Sequence, residues 1–154
     1  VGSDEKADLA RAHGCDHPIV YTRQDFVAEV ERITNGAKLP VVYDSVGKDT
    51  FLKSLDCLAP RGMMVSFGNA SGAPDPMPPN LLAQKGSLFL TRPTLYNYTN
   101  TYAELQEAAS ELFDMVVSGK VRVEVKQRFA LCDAAEAHRA LEARETSGST
   151  VLTI

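Results

Sequence analysis

At 154 residues and 16.7 kDa the chain has the size of one domain, long enough to bury roughly two thirds of its unfolded surface. With 44% hydrophobic and 23% charged residues it is neither disordered nor fibrous. A net charge of −4 without any Lys/Arg run argues against a nucleic-acid or anionic-membrane surface, and no apolar run approaches the about 18 residues of a membrane span.

Val1-Gly2-Ser3 reads as the end of a strand opening a helix, with Ser3 as N-cap, Asp4 and Glu5 at the positive end of the helix and Gly14 as its stop. A strand is expected at His17 to Tyr21. Residues 24 to 35 then form a second helix whose apolar face is Phe26, Val27, Val30 and Ile33, closed by Asn35-Gly36. Two short apolar runs, Val41-Val42-Tyr43 and Met63-Met64-Val65, break off into Asp44-Ser45-Val46-Gly47 and Ser66-Phe67-Gly68-Asn69. They read as buried parallel strands joined by a helix with Phe51, Leu52, Leu55 and Leu58 on one face. Ligands of open parallel sheets sit outside the carboxyl ends of the strands, where small residues allow close approach; ordinary turns explain the same pattern about equally well.

Four prolines between Gly72 and Pro79 require a surface loop. A short helix at Asn80 to Gln84 precedes a strand at Ser87 to Thr91. Thr101 and Glu104 have capping-box spacing ahead of the longest helix, with Leu105, Ala109, Leu112 and Val116 on one face and Gly119 at its end. Beyond Gly119, Val121, Val123 and Val125 alternate with polar residues as a strand with one wet face would. Asp133 and Glu136 repeat the capping-box spacing for a helix through Arg144, and residues 151 to 154 close as a strand. Strands alternating with helices imply an α/β fold with a mostly parallel sheet.

Cys15, Cys57 and Cys132 are widely spaced and form no C-x-x-C pair, which points away from a zinc site and from a disulfide framework. No signal-peptide pattern follows Val1, so a cytoplasmic, reducing setting is expected. His13, His17 and His138 lack metal-ligand spacing and read as surface or helix-end residues.

Several separate blocks resemble a known family: Val41-Val42-Tyr43-Asp44-Ser45-Val46-Gly47, Ser54-Leu55-Asp56-Cys57-Leu58, Val65-Ser66-Phe67-Gly68-Asn69, Gln84-Lys85-Gly86-Ser87-Leu88 and residues 142 to 149. The sequence is similar to the zinc-free, NADPH-dependent quinone oxidoreductases of the medium-chain dehydrogenase/reductase superfamily, the zeta-crystallin-like branch. The resemblance implies a C-terminal portion: a partial Rossmann-like, doubly wound parallel sheet lacking its first two strands, without the glycine-rich phosphate turn and the GroES-like catalytic domain. It assigns residues 1–119 to a partial dinucleotide-binding domain and 120–154 to a C-terminal segment that returns to the catalytic domain. An isolated fragment of this kind is expected to be inactive.

The cofactor implied is NADPH. Gly2-Ser3 stands where an NAD-binding fold would place an acid for the ribose 2′-hydroxyl, and Lys6 without that acid favours a 2′-phosphate. As plain chemistry Lys6 is a solvated lysine on a helix face, and the nearby Asp4 and Glu5 oppose the phosphate reading. Tyr21 either meets the adenine, reaches the phosphate with its hydroxyl, or packs at an edge. Arg144 is by pattern a last-turn arginine complementing the helix dipole; the resemblance gives it the 2′-phosphate.

By the same resemblance Ser45 and Val46, with Phe67, Gly68, Asn69 and Ala70, line the path from adenosine to nicotinamide ribose. Arg92, Pro93 and Thr94 approach the carboxamide end, although Arg92 by itself is a surface charge. No catalytic residue and no metal ligand is assigned, since hydride transfer is the cofactor's chemistry. The expected acceptor is a quinone or related electrophile. The alternatives are a zinc-free enoyl or alkenal reductase of the same superfamily and a non-catalytic dinucleotide-binding or structural relative. A homodimer through antiparallel pairing of residues 87–91 is expected, with no nucleic-acid or membrane partner.

Overall fold

The computed structural model describes residues 1–154, which fall into two compact units, Val1–Leu95 and Tyr96–Ile154. The first begins with α1 (Asp4–Ala12) and α2 (Phe26–Ile33), followed by β1 (Leu39–Asp44), α3 (Phe51–Asp56), β2 (Leu58–Ser66), α4 (Asn80–Gln84) and β3 (Phe89–Thr91). The two apolar runs pair in parallel, Val42 opposite Met64, and Met64 in turn lies opposite Leu90, giving a sheet of order β1–β2–β3. Parallel neighbours need crossovers, and α3 and α4 supply them. Phe51, Leu55, Leu58, Met64 and Leu88 form the buried cluster, with Val42, Met77, Leu81 and Leu82 packed against it. Leu52, expected to share the face of Phe51 and Leu55, is 55% exposed. Consecutive helical residues diverge by about 100°, and the core takes only the 51, 55, 58 stripe.

Ser3 caps α1 as expected, its side chain accepting from the Lys6 amide at 3.3 Å, and Gly14 follows the helix at φ +91°. Asp25 caps α2 by accepting from the Val27 amide at 3.0 Å; Phe26, Val27, Val30 and Ile33 are half-buried, and Gly36 ends the turn at φ +81°. The strand expected at His17 to Tyr21 is absent. The ladder-like backbone bonds of that segment are to Val1, whose amino group donates to the Ile19 carbonyl at 2.8 Å while the Tyr21 amide donates to the Val1 carbonyl at 3.1 Å. The two bonds alternate as in a parallel ladder, but a ladder one residue long is not a strand. The strand expected from Ser87 starts at Phe89, because Ser87 lies at φ +56° and its amide, like that of Leu88, closes the end of α4.

The second unit holds α5 (Tyr102–Val117), β4 (Val125–Ala130), α6 (Ala134–Glu142) and β5 (Ser149–Thr153), with β4 and β5 paired in parallel. The capping box at α5 is present: Thr101 Oγ1 accepts from the Glu104 amide at 3.2 Å and Glu104 accepts from the Thr101 amide at 2.8 Å. Leu105 and Leu112 of its expected core face are exposed. The strand expected over Val121 to Val125 lies later, at Val125–Ala130. The Val121 amide is used by the Met115 carbonyl at the end of α5, and β5 offers a partner only from Ser149, opposite Val125. The second capping box does not form. A 3-10 turn over Leu131–Asp133 precedes α6 and takes the Ala134 amide onto the Leu131 carbonyl, leaving Asp133 without a side-chain cap bond. No helix is long and apolar enough to cross a membrane.

Met64 is completely buried at the crossing of all three strands, so truncation there leaves a cavity that the sheet cannot close. Met64→Ala is expected to destabilise the protein by about 2–5 kcal/mol, measured as a lower urea midpoint with an unchanged slope.

Candidate functional site

All three strands of the first unit run parallel, so their carboxyl ends open on one edge, and the segments that follow β1, β2 and β3 line it. The last residue of β1, Asp44, is buried at 4% exposure and turns its carboxylate back into the following loop. Oδ1 accepts from the amides of Val46 at 2.8 Å and Gly47 at 3.0 Å; Oδ2 accepts from Thr50 Oγ1 at 2.7 Å and Ser54 Oγ at 2.8 Å. The first pair makes an Asx-type turn, and the second ties that turn to α3. Burial pushes this carboxyl up, yet the donors from Gly47, Thr50, Ser54 and Val46 together outweigh it and hold the group below its ordinary value.

The loops after β1 and β2 are laced together. Phe67 donates its amide to the Asp44 carbonyl at 2.9 Å, Ala70 to Ser45 at 3.1 Å, Ser71 to Val46 at 2.8 Å, and Lys48 donates in return to Gly72 at 3.0 Å. Ser71 Oγ adds a bridge, donating to the Val46 carbonyl at 2.8 Å and accepting from the Asp49 amide at 3.0 Å. Such closeness requires glycine. A Cβ on Gly68 would stand 2.4 Å from the Ser45 carbonyl oxygen, and one on Gly47 would stand 2.5 Å from that of Gly72, at φ +90°. The amides of Gly68 and Asn69 find no acceptor among the described residues. Phe67 is half-exposed beside Tyr43, ring edge toward ring face at 6.4 Å between centroids.

The structure therefore brings Ser45, Val46, Phe67, Gly68, Asn69 and Ala70 to one edge. Arg92, at the end of β3, reaches back across the sheet and donates Nη1 to the Ser66 carbonyl at 2.8 Å. Arg92 is exposed, as a surface charge would be, and this bond ties the third strand end to the second, while Pro93 and Thr94 continue the chain from there.

At the start of the chain Gly2, Ser3, Lys6 and Tyr21 gather at the first turn of α1. The Tyr21 hydroxyl would lie 3.2 Å from a Cβ on Gly2, and Thr22 Oγ1 donates to the Gly2 carbonyl at 3.2 Å. Asp4, one of the two acids that oppose an anion here, is engaged by the Arg23 guanidinium through both carboxylate oxygens, and that bond holds its carboxyl below the ordinary value. Sequence spacing gave no hint of this fork across 19 residues. Arg144 belongs to the second unit, at φ +61° just past α6, its amide closing on Leu141. Asp44 and Ser71 were missed as organising residues, although an Asp two residues ahead of Val46-Gly47 is a readable Asx signal.

Because the folded-state pKa of Asp44 lies below that of the unfolded chain, its contribution to stability is complete above about pH 4 and is lost as pH falls through the folded value. Urea unfolding followed from about pH 6 down to pH 3 is expected to show a fall in stability below about pH 4 that is reduced in Asp44→Asn.

The family model for zinc-binding dehydrogenases matches residues 13–152. A quinone oxidoreductase of Pseudomonas aeruginosa is 55% identical over 152 residues, covering 99% of this chain and 47% of the relative. A 2-haloacrylate reductase of Burkholderia sp. is 48% identical over 153 residues, covering 99% of this chain and 46% of the relative. The crystal structure of Escherichia coli quinone oxidoreductase complexed with NADPH superposes with a TM-score of 0.96 at 48% identity, over 100% of this chain and 48% of that one. The chain spans about half the length of the curated relatives it matches. From the parallel sheet, the paired strand-end loops and a match over most of its length, this chain belongs to the zinc-binding dehydrogenase family.

Proposed function

We propose that the chain forms the cofactor-side half of an NADPH-dependent quinone oxidoreductase that works without zinc. The observation that carries the reading is the lacing of the 45–50 and 67–72 loops at the sheet edge, in a chain 48% identical to a quinone oxidoreductase complexed with NADPH. Two relatives at 55% and 51% identity bear the name quinone oxidoreductase.

The residues present fit a dinucleotide. Gly47 and Gly68 let the two loops pack backbone against backbone, and the amides of Gly68 and Asn69 offer donors to the polar groups of a ligand along the edge. When bound, NADPH supplies the hydride. The chain's residues have the task of holding it: Ser45 and Val46 on one side, Phe67 to Ala70 on the other, Arg92 to Thr94 beyond. Lys6 and Tyr21, with Gly2 and Ser3 leaving room, take the 2′-phosphate, and pairing of Asp4 with Arg23 offsets one of the two nearby acids, Glu5 being the other. The resemblance gives Arg144 a place on the same phosphate. Residues 1–119 are proposed as part of the dinucleotide-binding domain and 120–154 as the segment returning to the catalytic domain.

A second reading, reduction of an activated carbon–carbon double bond, is favoured by the 48% identity to a 2-haloacrylate reductase. The same cofactor crevice serves both, and turnover of a simple benzoquinone against a 2-haloacrylate separates them. The partner proposed is a second copy. β3 is an edge strand with Phe89 57% and Leu90 39% exposed, suited to antiparallel pairing across a two-fold axis.

In the full-length protein, Lys6→Ala is expected to weaken NADPH about tenfold and leave NADH nearly unchanged, since a charge-assisted contact contributes roughly 1.5–3 kcal/mol. Arg144→Ala tests its assignment in the same way, and equal losses for both cofactors in a binding titration would contradict either assignment. Phe89→Lys is expected to lower the mass seen by light scattering from dimer to monomer; an unchanged mass would contradict pairing through this edge.

A further inference from the structure

We propose that Asp44 is a positioning residue of the cofactor crevice, fixing the 45–47 turn and through it the 67–72 loop while touching no ligand itself. The proposal rests on the reading that this edge holds NADPH. Its basis is geometric. The carboxylate is buried, and both oxygens are occupied twice, Oδ1 by the Val46 and Gly47 amides and Oδ2 by Thr50 and Ser54. No direction is left for a ligand.

The same residue's main chain anchors the second loop, its carbonyl accepting from Phe67 at 2.9 Å. The carbonyls of Ser45 and Val46, whose orientation the Asx turn sets, are the acceptors for Ala70 and for both the amide and the hydroxyl of Ser71. Rotation of the 45–46 peptide would break the bond to Ala70, and rotation of the 46–47 peptide both bonds to Ser71; the Val46 and Gly47 amides of these two peptides are the ones held by Oδ1. Ser45, Val46 and Phe67 to Ala70 thus move as one body, and the carboxylate is its pivot. An ordinary N-cap residue would hold only α3; here Thr50, at the cap position of α3, gives its hydroxyl to Asp44 and makes no side-chain cap bond.

Asparagine can preserve this arrangement. Its Oδ1 accepts from the two amides, which cannot reverse, and its Nδ2 donates to the hydroxyls of Thr50 and Ser54, which can. Alanine leaves four donors without their acceptor. The test uses the full-length protein, with hydrogen–deuterium exchange of peptides covering 45–49 and 67–72 and steady-state kinetics with NADPH and a benzoquinone. Asp44→Ala is expected to speed exchange in both segments and to raise the NADPH KM about tenfold or more, with kcat falling less, and Asp44→Asn is expected to restore both.

Faster exchange confined to 45–49 would overturn the coupling of the loops. Faster exchange in both segments with an unchanged NADPH KM would overturn the positioning role. If the unsubstituted protein binds no NADPH, the cofactor reading falls, while the exchange measurement still decides whether Asp44 couples the loops. Should Asp44→Ala not fold, Thr50→Val removes one donor that orients the carboxylate. A rise in exchange and KM there supports the proposal, and no change in either overturns it.

Discussion

The first unit depends on how closely two strand ends can approach. With Gly68 packed on the backbone of Ser45, the loops after β1 and β2 share hydrogen bonds that neither has alone, and any side chain at Gly68 would separate them. Asp44 backs this contact from inside. Burying a carboxylate is costly unless it is fully hydrogen-bonded, and here four donors meet that requirement within one turn and one helix. Packing beneath is apolar and continuous from Met64 to α3, so the edge is held from the core side and open on the other.

Residues whose neighbours are local or whose pattern is periodic were legible in the sequence. The Val41 to Tyr43 and Met63 to Val65 runs became paired parallel strands, although Val41, Tyr43 and Met63 are exposed where burial was expected, and the Thr101 and Glu104 spacing became a reciprocal cap. Some failures were local, as where the 3-10 turn over Leu131–Asp133 replaced the second cap, and others depended on partners distant in the chain. Composition alone does not make a strand: residues 17–21 had it but found ladder-like bonds with Val1 over one residue, and the strand expected from Val121 shifted because β5 begins opposite Val125. At the site the residue positions were legible as strand ends, but their organisation was not. The Asp4–Arg23 fork and the reach of Arg92 to Ser66 join residues 19 and 26 positions apart, which no spacing rule connects.

On the proposed reading this half has a positioning task, because hydride transfer is the cofactor's chemistry. At the edge the Asp44 carboxylate is structural, and at the first turn of α1 Asp4 is paired with Arg23. Cys57 is buried, and its thiol is pushed up to about 11, chiefly by burial, which leaves it inert as a nucleophile.

The central claim is that NADPH lies along the edge formed by the ends of β1, β2 and β3. Hydrogen–deuterium exchange of the full-length, unsubstituted protein with and without saturating NADPH tests it directly. Slower exchange is predicted on cofactor addition in segments covering 45–46, 67–70 and 92–94 and at the first turn of α1. Unchanged exchange in the 67–70 segment, in a protein shown to bind NADPH, would contradict it.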